Sequence, residues 1–336
     1  MTQGRILLAH GGGGRLSREL IETHIAPRFG AGPLRGFPDA ARVAIDAAAL
    51  VFTTDSFVVS PRQFPGGDIG DLAVYGTVND LAVAGGAPRW LSLALICEEG
   101  LPLAELDAVL DSVAKAARRC GVGIATGDTK VVPRGQCDGL YVNTAGIGVA
   151  LPGFRLGSDR LREGDVVIAS GDLGDHGMAV MAARAGMDPG AGLRSDTGPV
   201  HELVLAIADL AAEVRFMRDP TRGGAAATLN EMLGGRSDVG IRLRERELPF
   251  SAGARAMAEV LGVDLLHVAS EGRVLLVCAP AAADEVLARW HRQREGSGAR
   301  AIGGVVPDPG RVVLETAIGG SRLVDQPQGE LLPRIC

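Results

Sequence analysis

Leu72-Ala73-Val74-Tyr75-Gly76-Thr77-Val78-Asn79-Asp80-Leu81-Ala82-Val83-Ala84 is the stretch on which the architecture turns. It lies in a span, 68–86, rich in Ala, Leu and Gly and apolar on nearly every side, which predicts a buried helix rather than a surface one. Asp80, preceded by Asn79, interrupts that apolar run, and a carboxylate in such company needs a partner. Upstream, residues 42–60 read as β-structure; downstream, 89–97 read as a strand. Residues 102–119 predict an amphipathic helix, with Pro102 suited to its first turn and Leu103, Leu106, Val109, Leu110 and Val113 on one face. Strands at 122–132 and 140–149 close the first half, and a boundary falls near Pro152-Gly153. Beyond it come a strand at 166–169 and helices near 174–186, 199–213, 222–233 and 252–262. A strand at 273–278, a helix at 281–292 and strands near 300–306 and 311–316 follow. Two units mixing strands and helices, with a tail behind them, predict an α/β (α+β) protein.

Composition narrows the class. The 336 residues allow about two domains at ~150 residues each, and 46% of them are hydrophobic, ample for two cores. The five cysteines, Cys97, Cys120, Cys137, Cys278 and Cys336, are scattered, odd in number and without C-x-x-C spacing, which argues against a disulfide framework and against a zinc or iron–sulfur site. No apolar run approaches the ~18 residues of a membrane span. The N-terminus has no signal-peptide core, since Ile6-Leu7-Leu8 runs straight into His10 and four glycines. A net charge of −6 with few aromatics leaves no nucleic-acid footprint. A cytoplasmic globular protein is the simplest expectation.

The last residues, Gly329-Glu330-Leu331-Leu332-Pro333-Arg334-Ile335-Cys336, put a thiol at the most exposed point of a chain, where it invites oxidation. Pro333 biases Leu332 toward extended backbone, Gly319 and Gly320 offer a hinge, and Leu331, Leu332 and Ile335 offer anchors. From Gly320 to Cys336 the chain reaches roughly 50 Å when stretched, enough to cross a domain. A swinging arm that uses its thiol and a frayed tail with an incidental cysteine both fit these residues.

Other candidates lie inside the chain. His10-Gly11-Gly12-Gly13-Gly14-Arg15 precedes a helix, an arrangement able to wrap an anion, though a floppy linker has the same composition. Asp46, Asp55, Asp80, Asp128 and Asp219 each sit at a strand end or in an otherwise apolar helix. Singly they read as caps or turns, but as a set they suit magnesium held against nucleotide phosphates. Thr126-Gly127-Asp128-Thr129-Lys130 places a lysine where it balances phosphate charge or holds a reacting oxygen. Asp219-Pro220-Thr221-Arg222-Gly223-Gly224 opens a helix and forms a phosphate cradle, with ordinary capping as the plainer reading. Glu271, in Ala269-Ser270-Glu271-Gly272-Arg273, stands just before a strand, either as a proton acceptor or as a turn residue paired with Arg273.

Together these residues resemble the HypE family, the carbamoyl dehydratases of [NiFe] hydrogenase maturation, over nearly the whole chain. The resemblance rests on Phe64-Pro65-Gly66-Gly67-Asp68-Ile69-Gly70, Gly76 to Ala82, Glu98-Glu99-Gly100, Thr126 to Val132, Asn143-Thr144-Ala145-Gly146-Ile147-Gly148, Gly174-Asp175-His176-Gly177, Asp219 to Gly224 and the terminal Leu332-Pro333-Arg334-Ile335-Cys336. The terminal motif is the most specific. The aspartates and glycine loop are shared with a wider ATP-using superfamily, among them aminoimidazole ribonucleotide synthetase, selenophosphate synthetase and thiamine monophosphate kinase. The resemblance implies a two-domain aminoimidazole ribonucleotide synthetase-like fold: residues 1–150 for ATP binding and dimerisation, 151–318 as a second α/β domain, and 319–336 as a flexible tail.

It also implies an activity. Proteins of this family accept a carbamoyl group on the terminal cysteine from the carbamoyltransferase HypF. They dehydrate it with ATP to a thiocyanate, and deliver cyanide to iron held by the HypC–HypD complex. On that footing Cys336 is the covalent carrier, Glu271 a base, and Lys130 the stabiliser of the oxygen being phosphorylated. His10, Gly11, Gly12, Gly13, Gly14, Asp128, Asp219 and Arg222 would bind ATP; Asp46, Asp55, Asp80, Asp128 and Asp219 would hold Mg²⁺; and the protein would be a homodimer. Ser270 stands where the family usually has asparagine and Arg273 where it has lysine, which bears on Glu271. A superfamily synthetase or kinase acting on a free small molecule would leave Cys336 unexplained. A non-catalytic maturation scaffold would leave the aspartates unexplained.

Overall fold

A computed structural model of the protein describes residues 5–7, 10, 19–29, 49–187, 192–308, 310–326, 332 and 334–336. In the first half the elements run β1 (Leu50–Phe57), β2 (Gln63–Phe64), β3 (Gly67–Asp68), α1 (Ile69–Val83), β4 (Gly86–Glu98), α2 (Leu103–Cys120), β5 (Gly123–Val132) and β6 (Leu140–Ala150). Asp68 caps α1 by accepting from the N–H groups of Gly70 and Asp71, and every α1 residue except Asp71 and Asp80 is buried. The all-round apolar helix is therefore a core helix, as its composition demands. α2 buries Leu106, Val109, Leu110, Val113 and Ala117 along one side and ends at Gly121 in the left-handed conformation.

These strands form a sheet in the order β1-β6-β4-β5, with β4 and β5 parallel and the other pairs antiparallel. Strand parity gives the sheet two unlike faces. On β4, Leu91, Leu93, Leu95 and Cys97 are buried and belong to the core shared with α1 and α2. On the opposite face Phe52 is 69% exposed, Leu50 55% and Ile96 39%.

The second half contains β7 (Val166–Ala169), α3 (Asp175–Arg184), β8 (Val214–Arg218), α4 (Gly224–Leu233), β9 (Gly240–Arg244), α5 (Ala252–Leu261), β10 (Leu275–Cys278), α6 (Pro280–Trp290), β11 (Arg300–Val306), β12 (Val312–Glu315) and β13 (Ser321–Leu323). Its strands form one sheet, β13-β12-β9-β11-β7-β10-β8, in which only β12 and β9 are parallel. The end of α1 carries Ala82 and Val83 into a cluster with Val200, Leu203, Val204, Val214 and Met217, so the two halves share apolar packing beside Asp80.

Three expectations change. The helix expected over 199–213 is a short helix, His201–Leu205, followed by a tighter turn over Ala208–Glu213. The indole N–H of Trp290 donates to the Leu203 carbonyl at 3.0 Å, taking an acceptor that a continuing helix would use. Gly319 and Gly320 form no hinge: Thr316 N–H donates to the Gly320 carbonyl at 2.9 Å, closing a turn that leads into β13, which pairs with β12. β8 and β9 are additional strands of five residues each, each broken by two arginines. No helix among the described residues is long and apolar enough to cross a membrane.

Candidate active site

Four acidic residues from both halves meet where α1 abuts the second sheet. Asp55 comes from β1, Asp80 from α1, Asp219 from the end of β8 and Glu271 from the loop before β10. Thr53, two residues before Asp55 on the same face of β1, donates its hydroxyl to Asp80 Oδ2 at 2.9 Å. Burial and the charge of Asp80 push the Asp55 carboxyl up to about 6, against the pull of Arg222. Burial is also the main cause at Asp80, where Arg218 and Arg222 oppose it. At Asp219, burial together with Asp80 pushes the carboxyl up to about 7. Glu271 is driven well above its ordinary range by burial, and then by the charges of Asp219, Asp196, Asp55 and Asp80. Such a cluster holds negative charge poorly unless a cation enters or some members keep protons.

The loop carrying Glu271 is held on several sides. Glu271 N–H donates to Asp196 Oδ1 at 2.9 Å, and the Asn79 amide donates to the Glu271 carbonyl at 2.9 Å and to the Gly198 carbonyl at 3.0 Å. Ser270 Oγ accepts from Gly174 N–H at 2.8 Å while Ser270 N–H donates to the Pro220 carbonyl. That one residue ties the Glu271 loop to the start of α3 and to the end of β8. Arg273 donates from Nε to the Asp172 carbonyl at 2.9 Å and lies 3.6 Å from Asp196 Oδ2. Gly272 is required by close approach, because a Cβ there would lie 1.9 Å from the Asp196 carbonyl oxygen. Among the described residues Glu271 Oε1 and Asp196 Oδ2 are buried with no hydrogen-bond partner, and only Asp196 Oδ2 has the Arg273 charge beside it, so the loop is fixed while Glu271 Oε1 stays uncommitted. Asp196 was missed at the sequence level, where Ser195-Asp196-Thr197-Gly198-Pro199 has only the signature of a turn.

The tail is docked. Val58 N–H donates to a Cys336 oxygen at 3.1 Å and Ser60 N–H to the Arg334 carbonyl at 3.2 Å. The Arg334 guanidinium donates to the Val58 carbonyl and pairs with Asp138 at 2.8 Å. Ile335 is buried, and Leu332 and Cys336 pack against the first core. Cys336 thus reaches the chain just past β1, three residues and roughly 10 Å along the backbone from Asp55.

Other sequence candidates lie elsewhere. β5 pairs Asp128 with Ala94 and Lys130 with Ile96. By that register both residues stand on the open face of the sheet, opposite to Asp55, and both are exposed. His10 is buried and its Nδ1 accepts from Leu7 N–H at 3.0 Å within its own turn. Arg222 is exposed two residues before α4, on the side of Asp55 and Asp80. Gly11, Gly12, Gly13, Gly14 and Asp46 lie outside the described residues. Among the described residues no three acidic, imidazole or thiol groups converge closely enough to coordinate a metal ion by themselves.

Residues 38–150 match the AIR synthase related protein N-terminal domain, and residues 162–315 match the corresponding C-terminal domain. A carbamoyl dehydratase HypE of Rhizobium leguminosarum bv. viciae is 48% identical over 338 residues, spanning 100% of this chain and 96% of the relative. The chain belongs to the HypE family. A crystal structure of the hydrogenase maturation protein HypE in complex with ATP superposes with a TM-score of 0.94 at 41% identity, covering 98% of this chain and 99% of that one. HypE in a crystallised HypE–HypF complex superposes with a TM-score of 0.79 at 39% identity, covering 94% and 100%. The two-domain aminoimidazole ribonucleotide synthetase-like fold expected from the motifs is thus the fold of HypE.

Proposed function

We infer that the chain is the ATP-dependent carbamoyl dehydratase of hydrogenase maturation, acting on a carbamoyl group that HypF places on its own Cys336. The observation that carries this reading is the docked tail, whose last residue hydrogen-bonds through its backbone to Val58, three residues past Asp55, while Asp55, Asp80, Asp219 and Glu271 act on one another electrostatically. The HypE relatives, the HypE–ATP complex and the HypE–HypF complex support it.

The residues suit the chemistry. An amide oxygen leaves poorly until it is phosphorylated. Transfer of the γ-phosphoryl group to the carbamoyl oxygen gives S–C(=NH)–O–phosphate with loss of a proton. Removal of the remaining nitrogen proton then expels phosphate and leaves S–C≡N. Glu271, whose raised pKa makes its carboxylate a stronger base than a solvated one, takes that proton. The free Oε1 gives it a lone pair to offer. Asp55, Asp80 and Asp219 would hold Mg²⁺ jointly with phosphate oxygens, since magnesium is usually bound by one or two carboxylates plus phosphate rather than by an all-protein cage. The metal would neutralise phosphate charge. Arg222 supplies a further cation at the helix start.

Asp128 and Lys130 act from the open face, where the exposed Phe52, Leu50 and Ile96 suit a second copy of the chain. In that homodimer the lysine and the aspartate of each copy border the interface. The cyanide product passes to iron on the HypC–HypD complex. We place the protein in the cytoplasm, where reducing conditions keep Cys336 a thiol.

Intact-mass spectrometry tests the reading on protein carbamoylated by the transferase. Addition of MgATP is expected to remove one water, about 18 Da, from wild type, whereas Cys336→Ala never acquires the carbamoyl group. A carbamoylated species unchanged by MgATP would indicate a carrier or scaffold.

A further inference from the structure

His176 lies deep beneath the terminal peptide and takes no part in the chemistry above. Its ring is fully buried, and the Phe64 ring meets it edge-on with centroids 5.3 Å apart. Nε2 is 2.9 Å from the Ile335 carbonyl, one residue before the terminal cysteine, and Nδ1 is 2.8 Å from Ser195 Oγ. Burial lowers the pKa of the imidazole, so the neutral ring is favoured.

A neutral imidazole has one donor and one acceptor nitrogen. A carbonyl oxygen only accepts, so Nε2 carries the hydrogen and Nδ1 accepts. Ser195 Oγ, at 2.8 Å, is the nearer hydroxyl donor to Nδ1, with the Thr197 hydroxyl at 3.3 Å; Ser195 Oγ accepts from Thr197 N–H at 3.0 Å and shares a hydrogen bond of 2.6 Å with the Thr197 hydroxyl. The tail carbonyl on one nitrogen and a hydroxyl donor on the other thus select the same tautomer. The same turn contains Asp196, whose Oδ1 receives the Glu271 N–H.

We propose that His176 is a positioning residue that latches the terminal peptide, and that Ser195 sets the tautomer in which it can do so. The proposal rests on Cys336 being the working thiol. Arg184 is a second clamp, donating to the carbonyls of Ser60 and Arg334, each from Nη2. The His176 contact differs from that clamp in being buried and in depending on a hydroxyl that makes no hydrogen bond to the described tail residues. When the tail leaves, Nε2–H loses its acceptor, and this favours the docked state by about the worth of one hydrogen bond. Through Asp196, the turn that holds the latch also holds Glu271.

The test reads docking without reading dehydration. Full-length protein free of ATP and carbamoyl donor is treated with N-ethylmaleimide, and labelling of Cys336 is followed by peptide mass mapping, with Cys137 as a second, partly exposed thiol for reference. Labelling through an undocked state scales with its population. His176→Asn can satisfy the Ser195 side but cannot reach Ile335, and should label Cys336 about three- to tenfold faster than wild type. His176→Gln can still reach the carbonyl with its amide N–H and should stay nearer to wild type. Ser195→Ala, with the tail contacts untouched, should label faster as well, and it carries the test if His176→Asn melts at the assay temperature. In single-turnover dehydration His176→Asn and Ser195→Ala should slow the chemical step while leaving the ATP KM unchanged.

Equal Cys336 labelling in wild type, His176→Asn and Ser195→Ala would overturn the latch, whatever the dehydration assay gives. Faster labelling in both variants, in a protein that dehydrates nothing even as wild type, would uphold the latch and sink the dehydratase reading.

Discussion

Glu271 concentrates the electrostatics of the site. Its backbone is fixed by Asn79 and Asp196, one oxygen is left unpaired, and its neighbours Asp219, Asp196, Asp55 and Asp80 all disfavour its charge. Glu271→Gln removes the proposed base and little else, since an amide fills the same volume. ATP should still bind, and the mass change that reports dehydration should slow by at least about a hundredfold, the usual contribution of a general base. Asp219 offers a pH prediction. A carboxyl whose pKa rises from 3.8 to about 7 on folding keeps its proton longer in the folded state than in the unfolded one. Across that window the unfolded chain binds fewer protons, so stability falls as pH rises and the penalty is complete above it. Asp55, raised to about 6, acts in the same direction. Ligand-free protein should therefore gain from these groups on going from pH 8 to pH 6. Asp219→Asn should flatten that dependence and stabilise the fold at pH 8 by on the order of 2 kcal/mol while abolishing turnover. Urea denaturation at the two pH values measures both effects.

At the scale of elements, what was legible in the sequence depended on how loudly each segment spoke. α1 and α2 were readable because one is apolar all round and the other keeps a clean stripe ended by Gly121. β8 and β9 were not, because five residues with two arginines among them carry too little pattern beside their helical neighbours. The candidate acids show the same limit: a carboxylate in an apolar run can be noticed, but the face it occupies is a matter of register. Asp55 lies under α1, and Asp128, in an equally polar motif, lies on the other side of the sheet. Asp196 gave no signal at all, because its burial comes from the Glu271 loop folding over it from far along the chain. The α1–α2 contact yields a prediction of its own. At Gly70 a Cβ would lie 2.4 Å from the Val109 carbonyl oxygen, a backbone atom that cannot move without moving α2. Gly70→Ala should cost roughly 2–3 kcal/mol, read as a lowered Tm, despite the better helix propensity of alanine.

The whole molecule places one set of candidate residues inside and another outside. The carboxylate cluster and docked tail sit at the junction of the halves, while Asp128 and Lys130 face outward on the first sheet beside Phe52, Leu50 and Ile96. Phe52 aligns with Ile147 on β6, and Ile147 with Trp90 on β4, so an apolar row crosses that face from β1 toward β5. Covering this row with the same row of a second copy would bring Lys130 and Asp128 of each chain to the interface without changing anything beneath α1. A charge at its centre should therefore separate two properties that a folding defect would lose together. Phe52→Asp is expected to turn a dimer into a monomer by sedimentation equilibrium and to depress ATP-dependent dehydration at least tenfold, since a buried unpaired charge at an interface is costly. Labelling of Cys336 by N-ethylmaleimide should remain at the wild-type rate, because the tail contacts run to Val58, Ser60, His176 and Arg184 within one chain. A monomeric Phe52→Asp protein with full dehydratase activity would show that Asp128 and Lys130 do not act from a shared interface.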